Sequence, residues 1–317
     1  MAGLSDTFVV VAVLAYLVAM IGHAAEYAFG TRGAVARAAA LVPSGGPLPG
    51  ADPEPGSPPQ PGGGRAALIG RGAVAMLVVG VAAHAVAVLT RGLAAERVPW
   101  GNMYEFVLSA SLVGSVAWLF VLRRWPATRH LGLYVALANV VLLGIAGLWL
   151  YVPVGPLVAA LNSYWLVIHV AAAALSSGIF LVGFVAAAMY LIKTGYDERG
   201  KRGFPYTLAP RLPGAETLER LSFRLHAFGF PIWTFAALIA GPIWAEAAWG
   251  RYWGWDPKEV WAFISWVVYA AYLHARATPS VKRTTAAWLA VAGWVTMLMN
   301  LFGVNLLFEG LHSYAGL

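Results

Sequence analysis

The chain contains no cysteine. That excludes a disulfide framework, a thiolate metal site and a thiol nucleophile, so any thiol chemistry must come from a substrate or partner. Charge is also scarce: 11% of residues are charged, where a soluble domain carries roughly 25%. With 60% hydrophobic residues across 317 positions and a mean hydropathy of +0.70, lipid rather than water is the expected solvent. No phosphate loop, HExxH or internal repeat is present. The net charge of +7 could signal nucleic acid, but the basic clusters lack aromatic interleaving and sit at the flanks of apolar segments. We therefore expect no nucleic-acid partner.

What is there is a series of apolar segments, each near the ~20 residues that a membrane crossing needs. They fall near 7–28, 68–90, 104–122, 131–150, 165–192, 227–245, 260–277 and 285–306. The fold class expected is an all-α polytopic membrane protein with about eight transmembrane helices, the fifth projecting past the bilayer. The first segment lacks a basic leader and is long enough to span, so no cleavable signal peptide is expected. Residues 1–28 then form a first transmembrane helix. Residues 29–67 form a linker, because "PSGGPLPGADPEPGSPPQPGGG" at 43–64 cannot bury a core. Residues 68–317 form a seven-helix membrane domain.

Lys and Arg are unevenly shared between alternate connections. Sixteen of the 21 lie in or beside loops 29–67, 123–130, 193–226 and 278–284; Arg91, Arg97, Arg251 and Lys258 lie on the other side, and Arg71 lies within a span. Positive loops face the cytoplasm. Both termini are then outside, together with "WGRYWGWDPKEVWAFISW" at 249–266.

That stretch packs five tryptophans, one tyrosine and four charges into eighteen positions. An interfacial aromatic belt would be spread over many helix ends. Here the rings are concentrated at one helix start: Asp256 reads as N-cap, Pro257 as first helical residue and Glu259 as capping-box partner. The helix N-terminus, Arg251 and Lys258 add positive charge beside flat indole faces. A large planar ligand bearing anionic groups suits that surface, and haem fits: an apolar macrocycle, two propionates and an iron needing axial imidazoles.

Seven histidines are available. His169 falls in the first turns of the fifth span and His312 just beyond the eighth, both at the outer depth. A lone interfacial histidine is usually only a polar group at the headgroups. Two at one depth, flanking an aromatic platform, point towards a ligand pair. His274 lies eighteen residues after Asp256, roughly 27 Å along a helix. It shares a face with Trp266 and Ala270, near the cytoplasmic end. An ionisable group there is a functional candidate, although a snorkelling residue beside Arg276 fits equally. His84 reads either as a third functional histidine or as a helix–helix hydrogen-bonding group, and we expect the latter; His23, His130 and His226 read as structural.

The tryptophan stretch resembles the haem-handling motif of the CcsA (ResC) family, called CcsB in some bacteria, of system II cytochrome c biogenesis. The similarity is carried by "EAAWGRYWGWDPKEVWAFISWVVYAAYLHAR" (246–276), "PWGNMYEF" (99–106), "SYWLVIHV" (163–170) and "GLHSYAG" (310–316), in the family's order, and covers about residue 68 onwards. The resemblance implies a multi-pass protein of the bacterial plasma membrane, with its active face extracytoplasmic. It implies work with a ResB/CcsB-like membrane subunit, a thioredoxin-like thiol reductase and apocytochrome c as substrate. On this likeness His169 and His312 ligate haem iron at the outer face. His274 ligates it at a cytoplasm-side site completed by a partner histidine. Trp249, Arg251, Tyr252, Trp253, Trp255, Asp256, Lys258, Glu259 and Trp261 form the platform for haem b, with Trp253, Trp255 and Asp256 joining the two outer histidines as catalytic residues. The reaction implied is addition of two CxxCH thiols to haem vinyl groups. Three other readings stay open: a haem exporter or chaperone of the CcmC type, a membrane b-type cytochrome, and a transporter with an aromatic outer gate.

Overall fold

The computed structural model describes residues 1–29, 62–157 and 161–312, and these form helices and connections with no strand among them. The chain folds as α1 (Ala2–Phe29), α2 (Gly62–Ala95), α3 (Met103–Arg124), α4 (Gly132–Trp149), α5 (Tyr164–Asp197), α6 (Ala215–Phe235), α7 (Gly241–Trp249), α8 (Pro257–Ala277), α9 (Arg283–Leu298) and α10 (Val304–Leu307). A π-helical turn, Ala236–Ala240, fuses α6 to α7. A second, Met299–Gly303, fuses α9 to α10. The protein is an all-α polytopic membrane protein.

Among the described residues seven helices are long and apolar enough to cross a membrane, one fewer than expected from sequence. The exception is α8. Its 21 residues suffice in length, but its tryptophans, tyrosines, His274 and Arg276 leave it less apolar than the others. Two boundaries also move. Helix α2 begins at Gly62, inside the stretch read as linker. The sixth span starts at Ala215 and runs without a break to Trp249. The rest of the linker, and the SYAG residues after His312, lie outside the described residues.

Helix α1 shows how these elements pack. Val10, Leu14, Val18 and Ile21 form an exposed apolar stripe, while Ala12, Ala15, Tyr16 and Ala19 are buried. Small residues allow close backbone approach, which is what drives helix pairing in lipid. The α3–α5 crossing is tighter still: a Cβ on Gly178 would stand 2.6 Å from both the Ala110 carbonyl oxygen and the Gly114 nitrogen.

The bundle has two chemically distinct ends. At one, Arg129 pairs with Glu26, Arg276 with Glu219, and the Tyr27 hydroxyl donates to the Leu208 carbonyl over 3.0 Å. At the other, buried Glu105 accepts from Arg91 Nε at 3.0 Å and from Arg97 at 2.7 Å, and Tyr151 donates to Asp6 at 3.0 Å. Midway between them, the Tyr16 hydroxyl lies 3.3 Å from His84 Nδ1 and 3.2 Å from Ser115 Oγ, which accepts from Asn139 at 2.7 Å. This network, with His84 at one end, ties α1, α2, α3 and α4 together. His226 is buried against Phe180, Tyr269 and Tyr272. His23 is buried beside Glu26, and His130 packs edge-on to Tyr27.

Candidate functional site

Ser163 caps α5, its hydroxyl accepting from the Trp165 amide over 3.2 Å, so His169 stands in the helix's second turn. From there its Nδ1 reaches the Ala236 carbonyl oxygen at 2.9 Å. That oxygen lies at the start of the π-turn, where it also accepts the Gly241 amide, five residues on. A carbonyl can only accept, so Nδ1 carries the proton and the His169 lone pair sits on Nε2. Gly241 keeps the approach open; a Cβ there would lie 3.2 Å from the imidazole.

His312 is held in the same way from the far end of the sequence. Asp256 Oδ2 lies 2.7 Å from its Nδ1, while Oδ1 accepts the Leu311 amide at 2.7 Å. Asp256 also caps α8, taking the Lys258 amide at 3.2 Å. Glu259 completes the capping box: its Oε2 accepts from Gly254 at 2.8 Å and Asp256 at 3.0 Å. The turn so fixed holds Trp255 at a φ of +59°, a left-handed conformation that costs a bulky residue energy and that such closely tied turns sustain. Burial pushes the Asp256 carboxyl up, but the His312 hydrogen bond and the two amides outweigh it and hold it below its usual 3.8. Burial also pushes the His312 imidazole below 6.5, against the raising influence of Asp256, so the neutral ring is favoured at pH 7.

Indoles bring the two histidines to one place. The Trp244 ring stacks on His169, with centroids 5.7 Å apart and planes at 9°, and lies 5.6 Å from His312. Trp249 is 4.8 Å from Trp244 and 5.0 Å from His312. Both imidazoles line a single cleft with about 1230 Å³ of empty space, its open mouth included. Trp100, Asn102, Trp249 and Trp253 line it near the helix ends, and Phe106, Ser177, Trp233 and Trp294 line it further into the bundle. Buried polar atoms inside it have no partner among the described residues: Trp233 Nε1, Trp253 Nε1 and Asn300 Oδ1.

The platform expected from sequence divides. Trp249, Trp253, Lys258 and Glu259 line the cleft. Tyr252 and Trp255 do not; they are 61% and 64% exposed. Trp261 is half-buried outside the lining set, and the Arg251 guanidinium lies against Gly254. His274 stands apart from the cleft, exposed in the last turn of α8. Sequence reasoning missed Trp244, Trp233, Trp294, Met297 and Asn300, which sit on spans at ordinary core spacing. It also passed over Trp100 and Met103, although the 99–106 stretch that carries them was in view.

A family model described as cytochrome C assembly protein matches residues 100–312. The cytochrome c biogenesis protein CcsA of Synechocystis is 35% identical over 278 residues, covering 71% of this chain and 82% of that one. The CcsA of Guillardia theta is 43% identical over 174 residues, covering 51% of this chain; the matched region spans only 58% of that relative. Among solved structures, the cytochrome c haem lyase CcmF superposes with a TM-score of 0.61 at 17% identity, covering 98% of this chain and 47% of the lyase, a likeness of fold. Matched in family model and in curated relatives alike, the chain belongs to the cytochrome c assembly proteins, in the CcsA family.

Proposed function

We propose that this protein is the membrane subunit of a system II cytochrome c synthase, which takes haem b as substrate, moves it to the outer face and helps attach it to the CxxCH motif of apocytochrome c. One observation carries the reading: His169 and His312, 143 positions apart in sequence, each have Nδ1 fixed by an acceptor and line one tryptophan-walled cleft. Fixing one ring nitrogen sets the tautomer and orients the other towards a metal. The donor set suits haem: two neutral imidazoles for iron, flat indoles for the macrocycle, and unpartnered buried polar atoms for its polar edge.

When bound, haem supplies two vinyl groups, each of which adds one substrate thiol S–H across its double bond, with no oxidant consumed. The chain's own residues bind and orient. Holding vinyl carbons and thiols together raises their effective concentration, and the apolar walls exclude water. His274, at the basic end, is proposed to serve a second haem position shared with a ResB/CcsB-like partner. A thioredoxin-like reductase would keep the substrate thiols reduced, since this chain has no thiol of its own.

The test is to express the full chain with its ResB-like partner, purify the complex and record its absorption. A bis-imidazole haem spectrum is expected. His169→Ala and His312→Ala should each lose it and the cytochrome c product, and added imidazole should restore both. Full product from both variants without imidazole would sink the proposal. Bound haem without any modification of CxxCH would instead mark a chaperone.

A further inference from the structure

Two axial imidazoles fix the position and tilt of a haem but leave it free to spin about the line joining them. Attachment to two thiols in a fixed order needs that rotation stopped, which requires a contact away from the axis. Among the described residues that line the cleft there is one lysine and no arginine. Several other charges at this end are already engaged. Arg91 and Arg97 share Glu105, and Asp256 is taken by His312 and two amides. Glu259 accepts from backbone amides, and Arg251 lies against Gly254. Lys258 differs. It lines the cleft, its ammonium has the Met103 sulfur as hydrogen-bond acceptor at 3.7 Å, and among the described residues it forms no salt bridge. A thioether is a weak acceptor for a cation removed from water. Trp253 brings a buried indole N–H, also without a partner, to the same cleft.

Building on the function proposed above, we infer that Lys258 and Trp253 form a carboxylate subsite that binds the propionate edge of haem and sets its in-plane orientation. The deeper wall, with Phe106, Trp233 and Trp294, carries no cation and cannot compete for a carboxylate. The two cations that sequence alone could not separate thus have different places: Lys258 lines the cleft, and the Arg251 guanidinium lies against Gly254.

The experiment compares haem b with its dimethyl ester, in which both carboxylates are blocked, as ligands of the purified complex. Charge-assisted bonds of this kind should make the wild type prefer the free acid by about tenfold or more. Lys258→Met should bind the free acid and the ester alike. Lys258→Arg should retain most of it, and Trp253→Phe should reduce it. Equal binding of acid and ester by the wild type overturns the inference, whatever the variants do. So does a Lys258→Met protein that keeps the preference. Should neither ligand give an imidazole-ligated spectrum, the proposed function itself has failed.

Discussion

At the scale of single residues, Asp256 joins two jobs that sequence shows separately. Its place before Pro257 marks a helix cap, and nothing local reveals that the same carboxylate also holds a histidine 56 positions later. Asp256→Ala should therefore have two effects. Loss of the cap should cost about 1 kcal/mol of stability, and loss of the support behind His312 should weaken haem binding roughly 10- to 100-fold. Titrating haem into the variant complex checks the second, and thermal unfolding in detergent the first. The pH dependence follows from the directions of the two shifts. His312 has a lowered pKa, so it stays neutral, with a lone pair on Nε2, at and above 6.5, and protonates only further down. Asp256 is held below 3.8, so its contribution is fully present above that value and fades as pH falls through its depressed pKa. Axial ligation followed by absorbance should be flat from pH 8 to 6.5 and fail only on acidification beyond. A midpoint above 6.5 would contradict the geometry.

At the scale of elements, the π-turns do what no periodicity announces. The spans were legible because apolar length is written directly in composition, and the cap of α8 because Asp, Pro and Glu have fixed positional preferences. The turn at Ala236–Ala240 is built of Ala, Leu and Ile, residues equally at home in a regular helix, so its extra residue was invisible. Yet it supplies the carbonyl that orients His169. Trp244, eight residues beyond Ala236, was unreadable for the same reason, since its facing depends on that turn. A π-turn is a one-residue insertion, so deleting Ile239 should restore a regular helix and leave α7 in register. The variant should insert and accumulate normally, yet lose His169-dependent ligation while His312 still binds. A bis-imidazole spectrum surviving the deletion would show that the turn is dispensable.

For the whole molecule, the separation of a basic end from a tryptophan end was readable from charge alone, and ion pairs such as Arg129–Glu26 and Arg276–Glu219 gather at the former. What sequence could not place was the junction of α5, α7, α8 and the residues after α10, because contact between distant segments leaves no local trace. The orientation has a direct check, since a chain without cysteine accepts single reporter thiols on a silent background. A cysteine at Tyr252, 61% exposed, should react with a membrane-impermeant maleimide on intact cells; one at Phe204, 84% exposed, should react only after the membrane is opened. The reverse pattern would invert the topology. The placing of Trp244 within 6 Å of both imidazole centroids has an optical consequence. An indole so close to a porphyrin would pass its excitation to it, so filling of the cleft should darken that tryptophan's emission, and each emptying should relight it.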